Sequence, residues 1–462
     1  MNRREVEQPD HVLPTAGRED EELLRAVEKP GGGFKVTFTL LALVILGAWV
    51  VFSRQILFGL GVTGLNQPVA WGFYIVNFVF FIGISHAGTL ISAILRLSKA
   101  EWRRPITRMA EIITVVVLAI GGFHPVLDLG RPDRVLNIYT AGRLQSPLLW
   151  DVTSISAYFM ASTVYLYVPM IPDIAILRDR GARPQWLYSF LAWGWEGTPR
   201  QQAVLERAIS ILMVLVIPIA VSVHTVISYI FAMTLQPGWH STIFGPYFVV
   251  GAIFSGIAAL LVVMITLRKI FHLERYLKEV HFSHLAKLLL IMSLLWFYFT
   301  FSEYLTGYFG SEPTEMRVFF YKFSGPYAPY FWGMLMLNFM IPVLILSFRR
   351  TRRIPGILIA SIGVVIGMWL ERLNIVVPSL ANPRLPYPTG FYVPSLVEWA
   401  MFVGGIATFV LGFALFARFF PLISIWEIRE GRHLAVPETV ARIESYLPDA
   451  APARAGTEPE GG

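Results

Sequence analysis

Cysteine is absent from the 462 residues of this sequence. The absence excludes disulfides, a thiolate nucleophile and any cysteine-held zinc or iron–sulfur cluster in this chain. Charged residues are also scarce, at 15% of the chain, against about 25% in a typical soluble protein. A chain that is 55% hydrophobic cannot cover a folded core with charge. We therefore exclude a soluble enzyme, a disordered protein and a nucleic-acid binder.

Long apolar runs are abundant. Ten of them reach the roughly 20 residues that a helix needs to cross the hydrocarbon layer of a membrane. The runs are continuous rather than alternating, which indicates helices rather than a β-barrel. We predict an all-α integral membrane protein with ten transmembrane helices at 35–54, 68–96, 106–128, 147–171, 204–235, 246–271, 286–310, 326–348, 354–372 and 395–418.

Proline and tryptophan recur together at the start of three predicted spans, in 68–71, 147–150 and 329–332. Proline suits a first helical turn and tryptophan suits the membrane boundary, which is explanation enough for most of the pattern. The second and third copies nevertheless begin spans that are four helices apart, which suggests two related four-helix bundles plus two peripheral helices. The predicted organisation is an N-terminal cytoplasmic arm (1–34), a peripheral helix (35–54), a first bundle with the candidate site (68–235), a second bundle (246–372), a periplasmic loop (373–395), a peripheral helix (395–418) and a cytoplasmic tail (419–462).

The basic residues are distributed unevenly over the connections between the spans. One alternating set of connections carries more than twice as many lysines and arginines as the other. Basic loops stay on the cytoplasmic side of a membrane, so we expect both termini in the cytoplasm. The net charge of +7 then reflects orientation rather than a nucleic-acid partner.

Two ionisable residues lie at similar depth near the outer ends of neighbouring spans. His124 and Asp151 are each about four residues from the outer boundary, or roughly 6 Å deep at 1.5 Å per residue. An ionisable group at the membrane centre costs at least about 2.5–3.5 kcal/mol, which makes such residues functional candidates. A histidine and a carboxylate at equal depth could form a hydrogen-bonded pair that takes protons from a hydroxyl group near neutral pH.

Other outer residues have a structural and a functional interpretation of similar weight. Asp128 and Arg131 either pair to shape a loop or belong to the same site. Glu303, with Tyr304 beside it, is either a second proton acceptor or a protonated carboxyl that ties helices together. Arg384 lies in a proline-rich outer loop, where it either reaches a ligand or is an ordinary interfacial arginine.

Polar residues form two stripes inside the first bundle. Asp151, Ser154, Tyr158, Ser162 and Tyr165 are spaced by three or four residues and share one helix face. The span at 68–96 contributes Ser85, His86, Thr89 and Ser92 in its inner half. Such stripes could conduct protons through water, although hydrogen bonds between helices are the commoner role. His224 lies at another depth than His124 and His86, so no bis-histidine haem site is predicted.

Three motifs resemble those of the polysulfide-reductase-like (NrfD-like) membrane subunits. They are NQPVAWG at 66–72, HAGTLISA at 86–93, and HP at 124–125 followed by DLGRP at 128–132. A chain with ten spans and these motifs is similar to the ActC-like subunits of alternative complex III, a bacterial quinol-oxidising assembly. Its sister ActF-like subunits have the same fold, so a proton-channel role remains an alternative, as does a secondary transporter, which should show broken helices at mid-depth.

The resemblance implies a menaquinol or ubiquinol site near the outer face of a bacterial cytoplasmic (inner) membrane. His124 and Asp151 match the family's proposed quinol-site pair, and Arg384 matches a nearby arginine. The implied partners are a periplasmic iron–sulfur subunit, a multihaem cytochrome c subunit and a homologous ten-helix membrane subunit. We expect no haem, iron–sulfur cluster or metal in this chain itself. The resulting hypothesis is that quinol is oxidised near the periplasm and its electrons leave through the iron–sulfur partner.

Overall fold

The computed structural model describes Leu24 and residues 32–385 and 391–430. Within these residues the protein is all-helical, and ten helices are long and apolar enough to cross a membrane, as predicted. The N-terminal arm before residue 32 and the tail after residue 430 lie outside the described residues, apart from Leu24. The ten helices are α1 (Gly33–Phe58), α2 (Phe73–Leu97), α3 (Thr107–Asp128), α4 (Pro147–Asp179), α5 (Pro199–Ala232), α6 (Phe244–Ile270), α7 (Glu279–Gly310), α8 (Ala328–Ser347), α9 (Ile354–Leu380) and α10 (Leu396–Phe419).

Helices α2 to α5 contact one another in a closed ring. Neighbours in the chain pack together, and α5 returns to α2. Helices α6 to α9 form a second ring in the same way, with α9 returning to α6. The two rings meet mainly where α2 packs against α6 and α9, and where α5 packs against α6.

The first and last helices pack outside these rings. Helix α1 packs along α10, and α10 in turn packs against α3 and α2. Close packing is possible because small residues of α10 face the neighbours: Gly404 faces Ala48 of α1, and Gly412 faces Val116 of α3. The C-terminal end of α3, which we call the outer end after the predicted orientation, is therefore bordered by α2 and by the α1–α10 pair.

Several helix ends differ from the predicted bounds. Helix α2 begins at Phe73 rather than at 68, so the proline and tryptophan of 68–71 precede the helix instead of forming its first turn. The hydroxyl of Tyr392 accepts the backbone N–H of Phe73, at 2.8 Å, and satisfies the free helix end. A hydrogen bond from a distant loop is not visible in a local pattern, which is why the boundary was misplaced.

Helix α9 is longer than predicted. It continues past Arg372 to Leu380 because Glu371 and Arg372 form a 3.0 Å ion pair and are both buried in protein. The sequence interpretation ended the span at this charged pair. The predicted outer loop therefore begins only after residue 380, and its residues 386–390 lie outside the described part of the chain.

A short segment follows α10 and returns to the protein. Residues 421–430 pack against the ends of α2, α3 and α4, and residues 425–430 are helical. We call residues 421–430 the tail segment.

Candidate functional site

His124 lies at the outer end of α3 and is almost fully buried. Its Nδ1 lies 2.8 Å from the carbonyl oxygen of Ile120, one turn earlier. A carbonyl can only accept a hydrogen bond, so Nδ1 carries the proton. The other nitrogen, Nε2, is then a lone-pair acceptor when the ring is neutral. It is buried and has no hydrogen-bond partner.

Asp151 is the fifth residue of α4, which begins at Pro147, and is also buried. Its Oδ1 has no hydrogen-bond partner. The predicted pairing of Asp151 with His124 is not made by a direct hydrogen bond, because the atoms that could form it, Nε2 and Oδ1, are both without partners. Helices α3 and α4 do pack together. The two residues therefore offer separate acceptor atoms from neighbouring helices, and a shared role at one ligand stays a prediction.

Helix geometry shows how the two side chains are directed. A Cβ built on Gly122 of α3 lies 3.6 Å from Ile155 of α4. His124 is two residues further on, or about 200° around the helix, and its ring lies 5.3 Å from Phe81 of α2. Asp151 is one turn before Ile155 and lies on the same face of α4 as Tyr158, a residue that contacts α2 inside the first ring. His124 thus borders α2 and the α10 side, while Asp151 faces the ring interior.

The other residues predicted at the outer end do not form one cluster. Asp128 ends α3 and leaves Oδ1 buried without a partner. Arg131 does not pair with it, because its guanidinium forms two hydrogen bonds, of 2.9 and 3.0 Å, with the exposed Asp133. Arg384 is exposed in the connection after α9.

A polar cluster beside Asp128 was not predicted. Glu398 is completely buried at the start of α10 and accepts the backbone N–H groups of Gly64 and Ser395 at 2.7 and 2.8 Å. The hydroxyl of Tyr392 donates to the same carboxylate. Glu398 follows Ser395 by three residues, which is the spacing of a helix capping box and could have identified it.

The predicted proton-path residues do form hydrogen bonds across helices. Thr89 of α2 bonds Tyr158 of α4 at 2.9 Å and Ser162 at 3.4 Å. Tyr158 also donates to the carbonyl of Ser85, at 3.3 Å. Deeper in the ring, the hydroxyl of Tyr165 lies 3.3 Å from Ser92. Ser154 is apart from this set, since its hydroxyl donates to the Asp151 carbonyl.

Below these residues lie two polar groups, Glu111 and Arg96, that the sequence interpretation did not place in either stripe. Ser92 donates to the carboxylate of Glu111 at 2.7 Å, and Arg96 lies 3.7 Å from the same oxygen. All three side chains are buried. We call Thr89, Tyr158, Ser92, Tyr165 and Glu111 the inner polar chain. It consists of two hydrogen-bonded groups, Thr89 with Tyr158 and Ser92 with Tyr165 and Glu111, and the second group lies nearer the end that carries the tail segment.

His86 and His224 lie closer together than predicted. Sequence counting placed them at different depths, but their ring centroids are only 3.8 Å apart. His86 Nε2 lies 2.6 Å from the carbonyl of Ala220, whereas both ring nitrogens of His224 lack partners. The count placed His86 too deep because α2 begins at Phe73, five residues later than predicted, which brings His86 nearer the outer end.

Glu303 and Tyr304 line a separate cavity in the second ring. The cavity has a volume of about 70 Å³ and is also lined by Tyr247, Glu315 and Lys322. A cavity needs at least about 10–15 Å³ to hold one water, so this one is large enough to hold water. Ser241 donates to Glu303 at 2.7 Å. Glu315 and Lys322 lie outside the spans, on the connecting helix Pro313–Phe323. Burial raises the pKa of the Glu315 carboxyl and lowers the pKa of the Lys322 ammonium to about 8.

Comparison with known proteins identifies the family. The model of the family described as "Polysulphide reductase, NrfD" matches residues 61–383. The chain belongs to the NrfD polysulphide reductase family. The resemblance drawn from 66–132 is thereby confirmed. Among the described residues of this NrfD-family chain, no group of three or more histidine, aspartate or glutamate side chains could hold a metal ion.

Curated relatives cover almost the whole NrfD-family chain. A putative membrane subunit of the dimethyl sulfoxide reductase of Halobacterium salinarum is 26% identical over 85% of this chain and 92% of its own. A selenate reductase subunit of Mesobacillus selenatarsenatis is 23% identical over 84% and 95%. An Hdr-like menaquinol oxidoreductase integral membrane subunit of Archaeoglobus fulgidus is 24% identical over 84% and 93%. The relatives are named as subunits of oxidoreductases.

Proposed function

We propose that this chain is the quinol-binding membrane subunit of a quinol oxidoreductase resembling alternative complex III. The observation that carries the proposal is His124, whose Nδ1 is fixed as a donor and whose buried Nε2 is left as an unused acceptor. Buried polar atoms are almost always hydrogen-bonded, so an unpartnered acceptor calls for a ligand or water. The hydroxyl of menaquinol or ubiquinol is a donor that fits this atom.

Oxidation of a quinol releases two protons and two electrons. His124 accepts one hydroxyl proton in this proposal, and Asp151 accepts the second. His124 and Asp151 form no hydrogen bond with each other, so the acceptor atoms Nε2 and Oδ1 are both available to a ligand. Phe81 packs beside the imidazole and offers an apolar wall for the ring of the quinol. Asp128, Arg131, Glu303, Tyr304 and Arg384 lie elsewhere around the outer end and remain proposed contacts of lower priority.

The electrons must leave the chain, because it contains no cysteine to hold a cluster. We propose an outer iron–sulfur subunit as their acceptor, in a complex with a multihaem cytochrome c subunit and a homologous ten-helix subunit. The name of the Archaeoglobus relative, a menaquinol oxidoreductase subunit, supports a quinol as the substrate class. The cytoplasmic membrane of a bacterium, with both termini inside, is the matching location.

Proton movement through the chain is a second part of the proposal. Two hydrogen-bonded groups in the first ring, Thr89 with Tyr158 and Ser162, and Ser92 with Glu111, support such a path. His86 lies beside it, with its ring 5.1 Å from Tyr158. An ActF-like chain, with proton conduction and no quinol oxidation, is the alternative that this path favours.

The experiment that tests the proposal replaces each acceptor with a non-titrating group of similar shape. We expect His124→Gln and Asp151→Asn to lower quinol oxidation by the intact complex at least 100-fold, which is the lower end of the contribution of a general base. The set of proteins that purify together should stay unchanged. Thr153→Ala is the matched control, because Thr153 is exposed on α4 and donates to its own helix at the Leu149 carbonyl. Normal turnover in both acceptor variants would contradict the quinol-site assignment.

A further inference from the structure

The tail segment is held against the first ring by backbone contacts as well as side chains. The buried carboxylate of Asp173, on α4, accepts the backbone N–H groups of Ile425 and Trp426 at 3.2 and 3.1 Å. The indole of Trp426 donates to the carbonyl of Pro169 at 2.7 Å. Arg108 of α3 donates to Ser424 at 3.2 Å. The tail segment therefore occupies a specific seat between α3 and α4.

Glu427 is the central charged residue of this seat. Its side chain is only 2% exposed, and it forms ion pairs with Arg96 of α2 at 2.6 Å and with Arg103 at 2.9 Å. Arg104 donates to the backbone carbonyl of Glu427 at 2.6 Å. Burial alone would raise the pKa of Glu427. The positive charges of Arg96, Arg103 and Arg108 outweigh burial and hold this pKa below its usual value. Glu427 thus stays ionised while it is seated.

Arg96 connects the tail segment to the inner polar chain. The same NH2 group lies 2.6 Å from Glu427 and 3.7 Å from Glu111. Glu111 in turn accepts the hydroxyl of Ser92. The carboxylate of Glu427 is therefore the closer partner of Arg96, the arginine next to the inner polar chain.

We propose that the tail segment is a latch that controls water access to the inner polar chain, and that Glu427 holds it closed. Removal of the Glu427 charge leaves the buried Arg96 and the partly buried Arg103 without their closest partner. Buried arginines without a partner are costly, so they draw water or move outward. Either response opens a route from the aqueous side to Ser92 and Glu111. The proposal rests on the contacts of the tail segment and not on the identity of the substrate.

The absence of cysteine makes the latch directly testable. Ser92→Cys places one thiol on the inner polar chain in an otherwise thiol-free chain. This thiol is allowed to react with methanethiosulfonate ethylammonium in the purified full-length protein. The rate of modification is followed by the mass of the intact protein. We expect slow reaction in the parent, and a rate at least tenfold higher when Glu427→Gln is added.

Two further variants control the experiment. Glu430→Gln removes the neighbouring carboxylate, which is 40% exposed and pairs with Arg104 at 2.9 Å, and should change the rate by less than twofold. Arg103→Gln leaves the contact between Arg96 and Glu427 intact, so we expect a labelling rate between those of the parent and of Glu427→Gln. If Glu427→Gln does not fold, the rate in Arg103→Gln is the test of the latch. Fast labelling of Ser92→Cys alone would overturn the latch. An unchanged rate on addition of Glu427→Gln would also overturn it, and Arg103→Gln takes the place of Glu427→Gln if that variant does not fold. A failure of the quinol assignment would leave these rates unaffected.

Discussion

The two ends of the first ring treat buried polar groups in opposite ways. At the outer end, His124, Asp151 and Asp128 each leave a buried atom without a partner. At the other end, Arg96, Arg108, Asp173 and Glu427 are also buried, and each is engaged in an ion pair, although the donor atom Nε of Arg96 has no partner. Unused acceptors reduce stability and are retained where a ligand or a reaction needs them, whereas paired charges fix the positions of helices. The difference indicates which end binds a molecule and which end holds the fold together.

Breaking the ion pair between Arg108 and Asp173 should have the largest effect. Arg108→Leu leaves a buried carboxylate unpaired, for which a loss of about 3–5 kcal/mol of stability is expected. Thermal unfolding of the purified protein measures this loss. The double variant with Asp173→Asn should recover part of it, because the uncompensated charge is then gone. An unfolding temperature equal to that of the parent in the single variant would show that this end is not the structural one.

Replacing an outer acceptor should have the opposite signature. Asp151→Asn keeps the shape of the side chain and removes no hydrogen bond of Oδ1, since that atom has none. We expect the unfolding temperature to stay the same or rise, while quinol oxidation falls at least 100-fold. Both quantities should be measured on one preparation. A loss of stability without a loss of turnover would assign Asp151 to the fold instead.

Lys322, which lines the cavity beside Glu303, gives a smaller effect with a pH dependence. Its pKa is lowered to about 8 by burial, so the folded protein binds this proton more weakly than the unfolded chain does. The cost of the buried charge is therefore complete below pH 8 and disappears as the pH rises towards the ordinary lysine value of about 10.4. One pKa unit corresponds to about 1.4 kcal/mol, so a gain of a few kcal/mol at most is expected for Lys322→Met at pH 7.

Thermal unfolding of parent and Lys322→Met between pH 7 and pH 10 provides the measurement. The difference in unfolding temperature between the parent and Lys322→Met should narrow as the pH rises. Lys322→Arg, which stays charged throughout, is the matched control and should show no such narrowing. A constant difference between parent and Lys322→Met would mean that the ammonium of Lys322 is well solvated in the cavity.

The smallest effect is expected at the exposed ion pair next to the candidate site. Arg131 and Asp133 are both more than half exposed, and such pairs contribute little because water and salt screen them. Asp133→Asn should leave the unfolding temperature unchanged within error. A clear destabilisation would show that this connection is covered by something other than solvent.

The spans were predictable from sequence because each follows from one physical requirement, an apolar run long enough to cross the membrane. Helix ends were not, since they depend on partners far away in the chain, as with Tyr392 at the start of α2. Charged residues inside α9 misled the interpretation for a related reason. Glu371 and Arg372 neutralise each other in the protein interior, and only the fold reveals that they are neighbours of α6 and not of water.

The candidate site was predictable in composition but not in geometry. His124 and Asp151 stand out because ionisable residues are rare at this depth. Their directions depend on the rotation of α3 and α4, which residue counting does not provide. The same limit concealed the contact between His86 and His224 and the sharing of Arg96 between Glu111 and Glu427.

Binding of a quinol analogue to His124 tests the central claim most directly. A quinoline N-oxide with an alkyl tail fluoresces in solution, and the fluorescence is quenched when it occupies a quinol site. We predict saturable quenching by the purified parent protein, and an affinity at least tenfold lower for His124→Gln, which retains the fold but loses the imidazole acceptor. Equal affinity in the parent and in His124→Gln would contradict the account.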